Sequence, residues 1–292
     1  MELKDSIEAL AALAHPGRMA VFRLLVRRHP DGVQPSEIAD SLQMRRNTLS
    51  THLTTMKRAG LLTTERDGRA VFCRIDVAAV GDLIHYMTAD CCRGRPDLCA
   101  ALQFDEIGEG ALSAAESRPL NVLFVCTRNS ARSIFAEAIL ARKGGKAFRA
   151  FSAGTQPRSG VSPPAIDVLR QKNHAIESLR PKHIDFFRSD SAPKLDFVFT
   201  VCDRAANEDC PSWPGRVLTA HWGIPDPVAG ETSRDREIVT YGEAYDMVEE
   251  RVSAFLALPL RTLDRRSLQR ELDNIGRLEA VRSTRQTLEG SG

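Results

Sequence analysis

The feature that most constrains this chain is an apolar run, Leu120-Asn121-Val122-Leu123-Phe124-Val125. It leads straight into Cys126-Thr127-Arg128-Asn129-Ser130-Ala131-Arg132-Ser133, and a helical pattern follows from Ile134 to Lys143. A strand, a tight turn and a helix start aim backbone N–H groups at one point, where the helix macrodipole favours negative charge. Arg132 can hold an anion there bidentately. The same field is expected to lower the pKa of Cys126, making it a thiolate near neutral pH. The stretch predicts a sulfur nucleophile facing a tetrahedral oxyanion, with Thr127, Arg128, Asn129, Ser130, Ala131 and Ser133 around the anion. The bland alternative is a phosphate-binding turn without chemistry.

The surroundings fit an α/β domain. Phe148 to Gly154 reads as a strand and turn, Pro164 to Lys172 as a helix, Phe197 to Val201 as a buried strand, and Val239 to Leu256 as a long helix. Such alternation predicts a doubly wound parallel sheet carrying a phosphatase-type loop. A further amphipathic helix is expected from about Leu263 to Arg282. Before the strand at Leu120 the pattern is different: helix-rich to about Leu102, then Gly-, Ser- and acid-containing without periodicity. The expected organisation is a first domain over 1–102, a linker over 103–118, a second domain over 119–260, and a closing helix and tail over 261–292.

At 292 residues there is room for two cores. No run approaches the roughly 18–20 apolar residues of a membrane span, and the polar start Met1-Glu2-Leu3-Lys4-Asp5 does not read as a secretory signal. A cytoplasmic protein without membrane contact is expected, its seven cysteines reduced. Their odd number and uneven spacing point to ligands or redox chemistry rather than a disulfide framework.

The first domain reads as a winged helix-turn-helix, mostly α with a β-hairpin wing. Pro35 to Leu42 makes a short helix with Pro at its start. The next helix, about Arg46 to Ala59, turns Leu49, Leu53 and Met56 inward at helical spacing. That leaves Arg45, Arg46, Asn47, Ser50, Thr51 and Thr54 for phosphates and base edges; His52 either touches DNA or supports the helix's packing. Gly60 stops the helix. Leu61–Arg66 and Ala70–Ile75, joined by Asp67-Gly68, form the hairpin, with Arg66 and Arg69 on the wing. Between Met44 and Arg74 seven Lys/Arg face two acids, an excess that favours a polyanion. The alternative is a winged fold used for protein contacts.

This half resembles the ArsR/SmtB family of dimeric metal-responsive repressors, through Leu13-Ala14-His15-Pro16-Gly17-Arg18, Ser50-Thr51-His52-Leu53 and Ala59-Gly60-Leu61. The resemblance implies a homodimer formed by the first and last helices, bound to operator DNA and released by a metal or metalloid. The helix Ser36 to Leu42 carries no cysteine, and Asp82 with His85 are too few for the zinc site of another branch. Cys91 and Cys92 instead stand near Cys99 across the helix-breaking Gly94 and Pro96. Three thiolates without a nitrogen ligand suit a soft three-coordinate centre, and the resemblance makes it an arsenite site. Cys73, alone on a wing strand, reads as packing.

Two features sharpen the second half. Trp222-Gly223-Ile224-Pro225-Asp226-Pro227 sets an acid in a stiff loop, from where Asp226 could protonate a leaving oxygen. Cys202 and Cys210 flank a segment after a sheet strand; a hydrolase has no use for such a pair, whereas a reductase must move two electrons from thiols. Residues 120–260 resemble arsenate reductases of the low-molecular-weight tyrosine phosphatase fold, through the Cys126 loop, Ser152-Ala153-Gly154-Thr155, Cys202 with Cys210, His221-Trp222-Gly223 and Asp226-Pro227. The resemblance implies that Cys126 attacks arsenate held by Arg132 and that Asp226 is the acid. Cys202 would then release arsenite and Cys210 resolve the disulfide to reduced thioredoxin, with no tightly bound cofactor. Arg128 where such loops carry Gly, Ala131 where relatives carry a second cysteine, and Val228 after Asp226-Pro227 depart from the pattern. The alternatives are a tyrosine phosphatase-like hydrolase fused to a regulator, and a transcription factor with a non-catalytic oxyanion sensor.

Overall fold

The computed structural model describes residues 1–91, 118–189, 191–208, 213, 217–227 and 234–278. It divides into two compact units: Met1–Ser113 with Asp203–Pro214, and Ala114–Cys202 with Gly215–Gly292. Cys92, Cys99, Cys210, Val228 and nearly all of the expected linker lie outside the described residues.

The first unit runs α1 (Leu3–Leu13), α2 (Pro16–Arg28), α3 (Pro35–Ser41), α4 (Arg46–Arg58), β1 (Leu62–Asp67), β2 (Ala70–Ile75) and α5 (Val77–His85), the last continuing as a π-helical turn at Tyr86–Cys91. Apolar residues at helical spacing explain the packing: Val21, Leu24 and Leu25 of α2, Ile38 and Ala39 of α3, and Leu49 and Met56 of α4 meet Leu62, Cys73 and Ile75 of the hairpin in one core. Leu53 is only partly buried against it. The helix stop after α4 is where the sequence places it, at Gly60 with φ +72°, a conformation open to glycine at no steric cost. The Asp67-Gly68 turn closes the wing, pairing Asp67 with Ala70, and Gly68 has φ +57°. Cys73 is buried, and that burial pushes its thiol pKa up, as expected of a packing residue.

The second unit contains β3 (Leu120–Cys126), α6 (Arg132–Lys143), β4 (Phe148–Gly154), α7 (Pro163–Gln171), β5 (Phe197–Thr200), β6 (Leu218–His221), α9 (Arg234–Leu256) and α10 (Arg265–Gly276). The short α8 (Asp203–Asn207) falls with the first unit. The sheet has the order β4-β3-β5-β6, and all its pairings are parallel. Every residue of β3 is buried, which is why this strand reads as a near-continuous apolar run. Helix α9 begins five residues before its expected start; its buried positions, Tyr241, Ala244, Tyr245, Val248, Val252 and Phe255, keep the helical period. Helix α10 is shorter than expected. Leu268, Leu272 and Ile275 form its buried face, and the Trp222 Nε1–H donates to the Leu272 carbonyl at 3.1 Å. Among the described residues no single helix is long and apolar enough to cross a membrane.

Candidate active site

The strand order sets the place. The chain leaves β3 for β4 on one side and later adds β5 on the other, so the sheet changes direction beside the carboxyl end of β3. Crevices at such switch points are where parallel α/β sheets bind ligands. Cys126 is the last residue of β3, and Ala131 caps α6 with φ −147° and ψ −82°. Between them the loop is stitched from behind. The carbonyls of Cys126, Thr127, Arg128 and Ser130 accept from the N–H groups of Thr155, Gln156, Arg158 and Ser162 at 2.8–3.2 Å. In a planar trans peptide the N–H points opposite to the carbonyl. Anchoring those carbonyls outward therefore turns the amides of Thr127, Arg128, Asn129 and Ala131 toward the thiol side. The Asn129 amide, which donates to Cys126 Sγ at 3.1 Å, follows this rule.

Asn129 holds the loop's shape. Its φ is +44°, in the left-handed region that asparagine tolerates better than most residues. Its side chain is fully buried. Nδ2 donates to Ser133 Oγ and to Ser152 Oγ, both at 2.8 Å, and Oδ1 accepts from the Lys182 backbone N–H at 2.7 Å. Gly154 packs against the loop so closely that a Cβ there would lie 2.7 Å from the Thr127 carbonyl oxygen. Ser133 Oγ stands 3.0 Å from Cys126 Sγ.

The thiol itself departs from expectation. Cys126 is only 2% exposed, and its pKa is raised, not lowered. Burial is the main cause and neighbouring Cys202 adds to it, while Ser133 and Arg132 pull the other way. The sequence argument counted the helix N-terminus and the arginine but not desolvation, which penalises the charged form. Nor does Arg132 reach toward an empty cradle. Its Nη1 donates to the Ile224 carbonyl at 2.9 Å, and its Nη2 is 3.3 Å from Asp226 Oδ2. The two residues singled out as anion holder and acid are thus brought together as a pair. Cys202 also joins the site: its Sγ is 3.5 Å from Thr127 Oγ1, and it too is buried. Ser130 and Ala131 are buried and Arg128 is half-buried. Cys91 is exposed, with its two expected co-ligands outside the described residues.

On the first unit, Arg45, Arg46, Asn47, Ser50, Thr51, Arg66 and Arg69 are exposed. Thr51 and Thr54 hydroxyls donate to the Asn47 and Ser50 carbonyls of their own helix, which leaves their oxygens able to accept. His52, open in sequence between DNA contact and packing, is buried, its ring centroid 4.7 Å from that of His15, which favours the packing role over its place among the DNA-contacting residues. Four residues around the loop, the buried Ser152 and Ser162 and the half-buried Glu137 and Lys182, carry no motif of their own. Only Ser152 stood in a stretch already singled out, since one glutamate on a helix has no distinguishing signal in sequence.

Comparison with known proteins finds relatives of the second half and a profile match within the first. The curated arsenate reductase of Oceanobacillus iheyensis is 31% identical over 134 residues, covering 46% of this chain and 93% of that protein. An arsenate reductase of Bacillus cereus is 37% identical over 112 residues, covering 38% of this chain and 80% of that protein. A crystal structure of arsenate reductase from Archaeoglobus fulgidus aligns with 27% identity and a TM-score of 0.38, over 47% of this chain and 99% of that one. A helix-turn-helix domain profile matches residues 13–65. The low molecular weight phosphotyrosine protein phosphatase profile matches residues 121–273, slightly more than half of the sequence. With its Cys126 loop at the carboxyl end of a central parallel strand, the chain belongs to the low molecular weight phosphotyrosine protein phosphatase family.

Proposed function

We propose that this chain is an arsenate reductase fused to an arsenite-responsive DNA-binding repressor, the two parts being residues 119–260 and 1–102. The observation that carries the enzymatic half is the second buried thiol, Cys202, beside the Cys126 loop. Hydrolysis needs one thiol; reduction of an oxyanion needs at least two, because two electrons leave as a disulfide forms.

Arsenate binds the loop amides and Arg132, displacing Asp226 from the guanidinium. Cys126 attacks arsenic, and Asp226 protonates the oxygen that leaves as water. Cys202 then attacks the Cys126 sulfur. The S–S bond forms as the As–S bond breaks, its electron pair stays on arsenic, and arsenite departs. Cys210 attacks Cys202, frees the Cys126 thiolate, and passes the resulting disulfide to thioredoxin or a comparable thiol donor. No tightly bound cofactor enters.

For the regulatory half, support comes from the exposed Arg45, Arg46, Asn47, Ser50 and Thr51 of α4 with Arg66 and Arg69 of the wing. These form a surface suited to operator DNA, with the arginines on phosphates or guanines. Leu3, Ile7 and Leu10 leave an exposed apolar row on α1, and Val77 and Ile84 are exposed on α5; this row is the face we assign to a homodimer. Arsenite at Cys91, Cys92 and Cys99 is the inducer in this reading, and the protein works in the cytoplasm.

The test is thioredoxin-coupled NADPH oxidation on adding arsenate, for the wild type and Cys202→Ser. Sustained oxidation is expected from the wild type, and none beyond a single turnover from the variant. No arsenate-dependent oxidation combined with brisk hydrolysis of an aryl phosphate would make the domain a phosphatase instead.

A further inference from the structure

Behind the loop lies a charged pair that the reaction above does not use. Glu137 sits on α6 one turn beyond Ser133. Both its carboxylate oxygens lie 3.3 Å from Lys182 Nζ, and the two side chains are only 13% and 19% exposed. Glu137 Oε2 also accepts from Ser152 Oγ at 2.5 Å. Lys182 is tied in by its backbone as well: its N–H donates to Asn129 Oδ1 and its carbonyl accepts from the Gly154 N–H at 2.8 Å.

Donor and acceptor rules fix the direction of every bond from Lys182 as far as Ser133. The Lys182 N–H sets the orientation of the Asn129 amide, so Nδ2, which can only donate, faces both serines. Ser152 must accept from Asn129, and its own hydrogen goes to Glu137, which as a carboxylate can only accept. Ser133 likewise accepts from Asn129, which frees its hydrogen for Cys126 Sγ whenever that sulfur is a thiolate and can only accept. The chain therefore ends with an O–H aimed at the sulfur, the arrangement that stabilises a thiolate. It holds only while Glu137 is ionised. Burial raises the Glu137 pKa, and Lys182, Ser152 and Arg180 counter it, Lys182 most strongly. Without the ammonium a buried carboxylate takes up a proton. It would then donate to Ser152, stranding that serine's hydrogen in a fully buried position and loosening Asn129.

We propose that Lys182 and Glu137 are positioning residues: a built-in ion pair that sets the polarity of the hydrogen-bond chain Ser152–Asn129–Ser133 and so favours ionisation of Cys126 against the cost of its burial. The groups acting directly on Cys126 are the Asn129 N–H, Arg132, Ser133 and Cys202, none of which the test substitutes. The inference needs Cys126 only as a nucleophile, whichever oxyanion is attacked.

The experiment is the pH dependence of Cys126 alkylation by iodoacetamide in the full chain, followed by mass spectrometry of the Cys126 peptide. In Lys182→Met the profile is expected to move to higher pH, with alkylation near neutral pH about tenfold slower, the equivalent of one pKa unit; Glu137→Gln, which keeps an amide oxygen to accept from Ser152, should not move it upward. Lys182→Arg should restore the wild-type profile. The double variant Lys182→Met/Glu137→Gln, which keeps an amide oxygen to accept from Ser152 and leaves no lone charge, should recover most of it. A profile unchanged in Lys182→Met overturns the proposal, and so does a shift that neither arginine nor the double variant reverses. If Lys182→Met does not fold, Glu137→Leu, which removes the acceptor for Ser152, decides: an upward shift supports the proposal and an unchanged profile overturns it. Absence of arsenate turnover alongside the expected shifts would refute the reductase reading and leave this one standing.

Discussion

His52 lies among residues whose neighbours on α4 face outward, yet its own ring is turned in beside His15. Burial lowers its pKa, and the nearby His15 and Arg18 lower it further, so the folded protein holds this imidazole neutral. The sign of the linkage follows. A group whose folded pKa lies below its unfolded value of about 6.5 contributes stability that is complete above that value and lost as pH falls through the folded one. Between pH 8 and pH 5 the wild type is therefore expected to lose more stability than His52→Gln, measured by urea unfolding at both pH values. Equal losses would assign the acid sensitivity to other groups. The spacing that put His52 on the helix was legible in the sequence. Its rotation inward was not, because the room for it is made by Gly17, where a Cβ would come within 2.8 Å of His52 Nε2.

At the scale of elements, α10 rests on the β6 side of the sheet through a narrow contact. A Cβ at Gly276 would fall 2.2 Å from the His221 carbonyl oxygen, so Gly276→Ala must push helix and strand apart; overpacking of this kind costs roughly 1–3 kcal/mol. Leu272→Ala leaves a cavity beside Trp222 and should cost about 2–5 kcal/mol. Both are measurable by denaturant unfolding with Trp fluorescence as the signal; a loss under ~0.5 kcal/mol in each, the range of ordinary surface substitutions, would mean that α10 is dispensable for the core. These elements also mark where reading from sequence succeeds. Strand β3 and helix α4 announce themselves, one by an unbroken apolar run and the other by Leu49 and Met56 at helical spacing. Strand β6 does not. Leu218-Thr219-Ala220-His221 is four residues long and not strongly apolar, and its place comes from hydrogen bonding to β5. The Cys126 loop was legible as a sequence of letters because its chemistry is local. The raised thiol pKa and the Glu137–Lys182 pair were not, since both depend on burial and on residues brought together from 45 positions apart.

For the whole molecule, the proposed function places a producer and a responder on one polypeptide. If the two act in series, arsenite should release the repressor from DNA equally well in the wild type and in Cys126→Ser, whereas arsenate should release only the wild type. Fluorescence anisotropy with a labelled fragment from upstream of its own coding sequence, in the presence of thioredoxin, reads both arms. Release of Cys126→Ser by arsenate would mean that the oxyanion is sensed without being reduced. The resting pair of Arg132 and Asp226 bears on the dose at which such a response begins. An anion that binds Arg132 through Nη2 must exchange with a carboxylate that is always present. Its observed affinity is weakened by the fraction of molecules in which the internal partner is already seated. Phosphate and arsenate have the same shape and charge and meet the same competitor, so capture cannot tell them apart. Discrimination passes to the step after capture, where arsenic keeps the electron pair of its bond to sulfur as the disulfide forms and phosphorus does not, and phosphate in the medium then sets a threshold that arsenate must exceed.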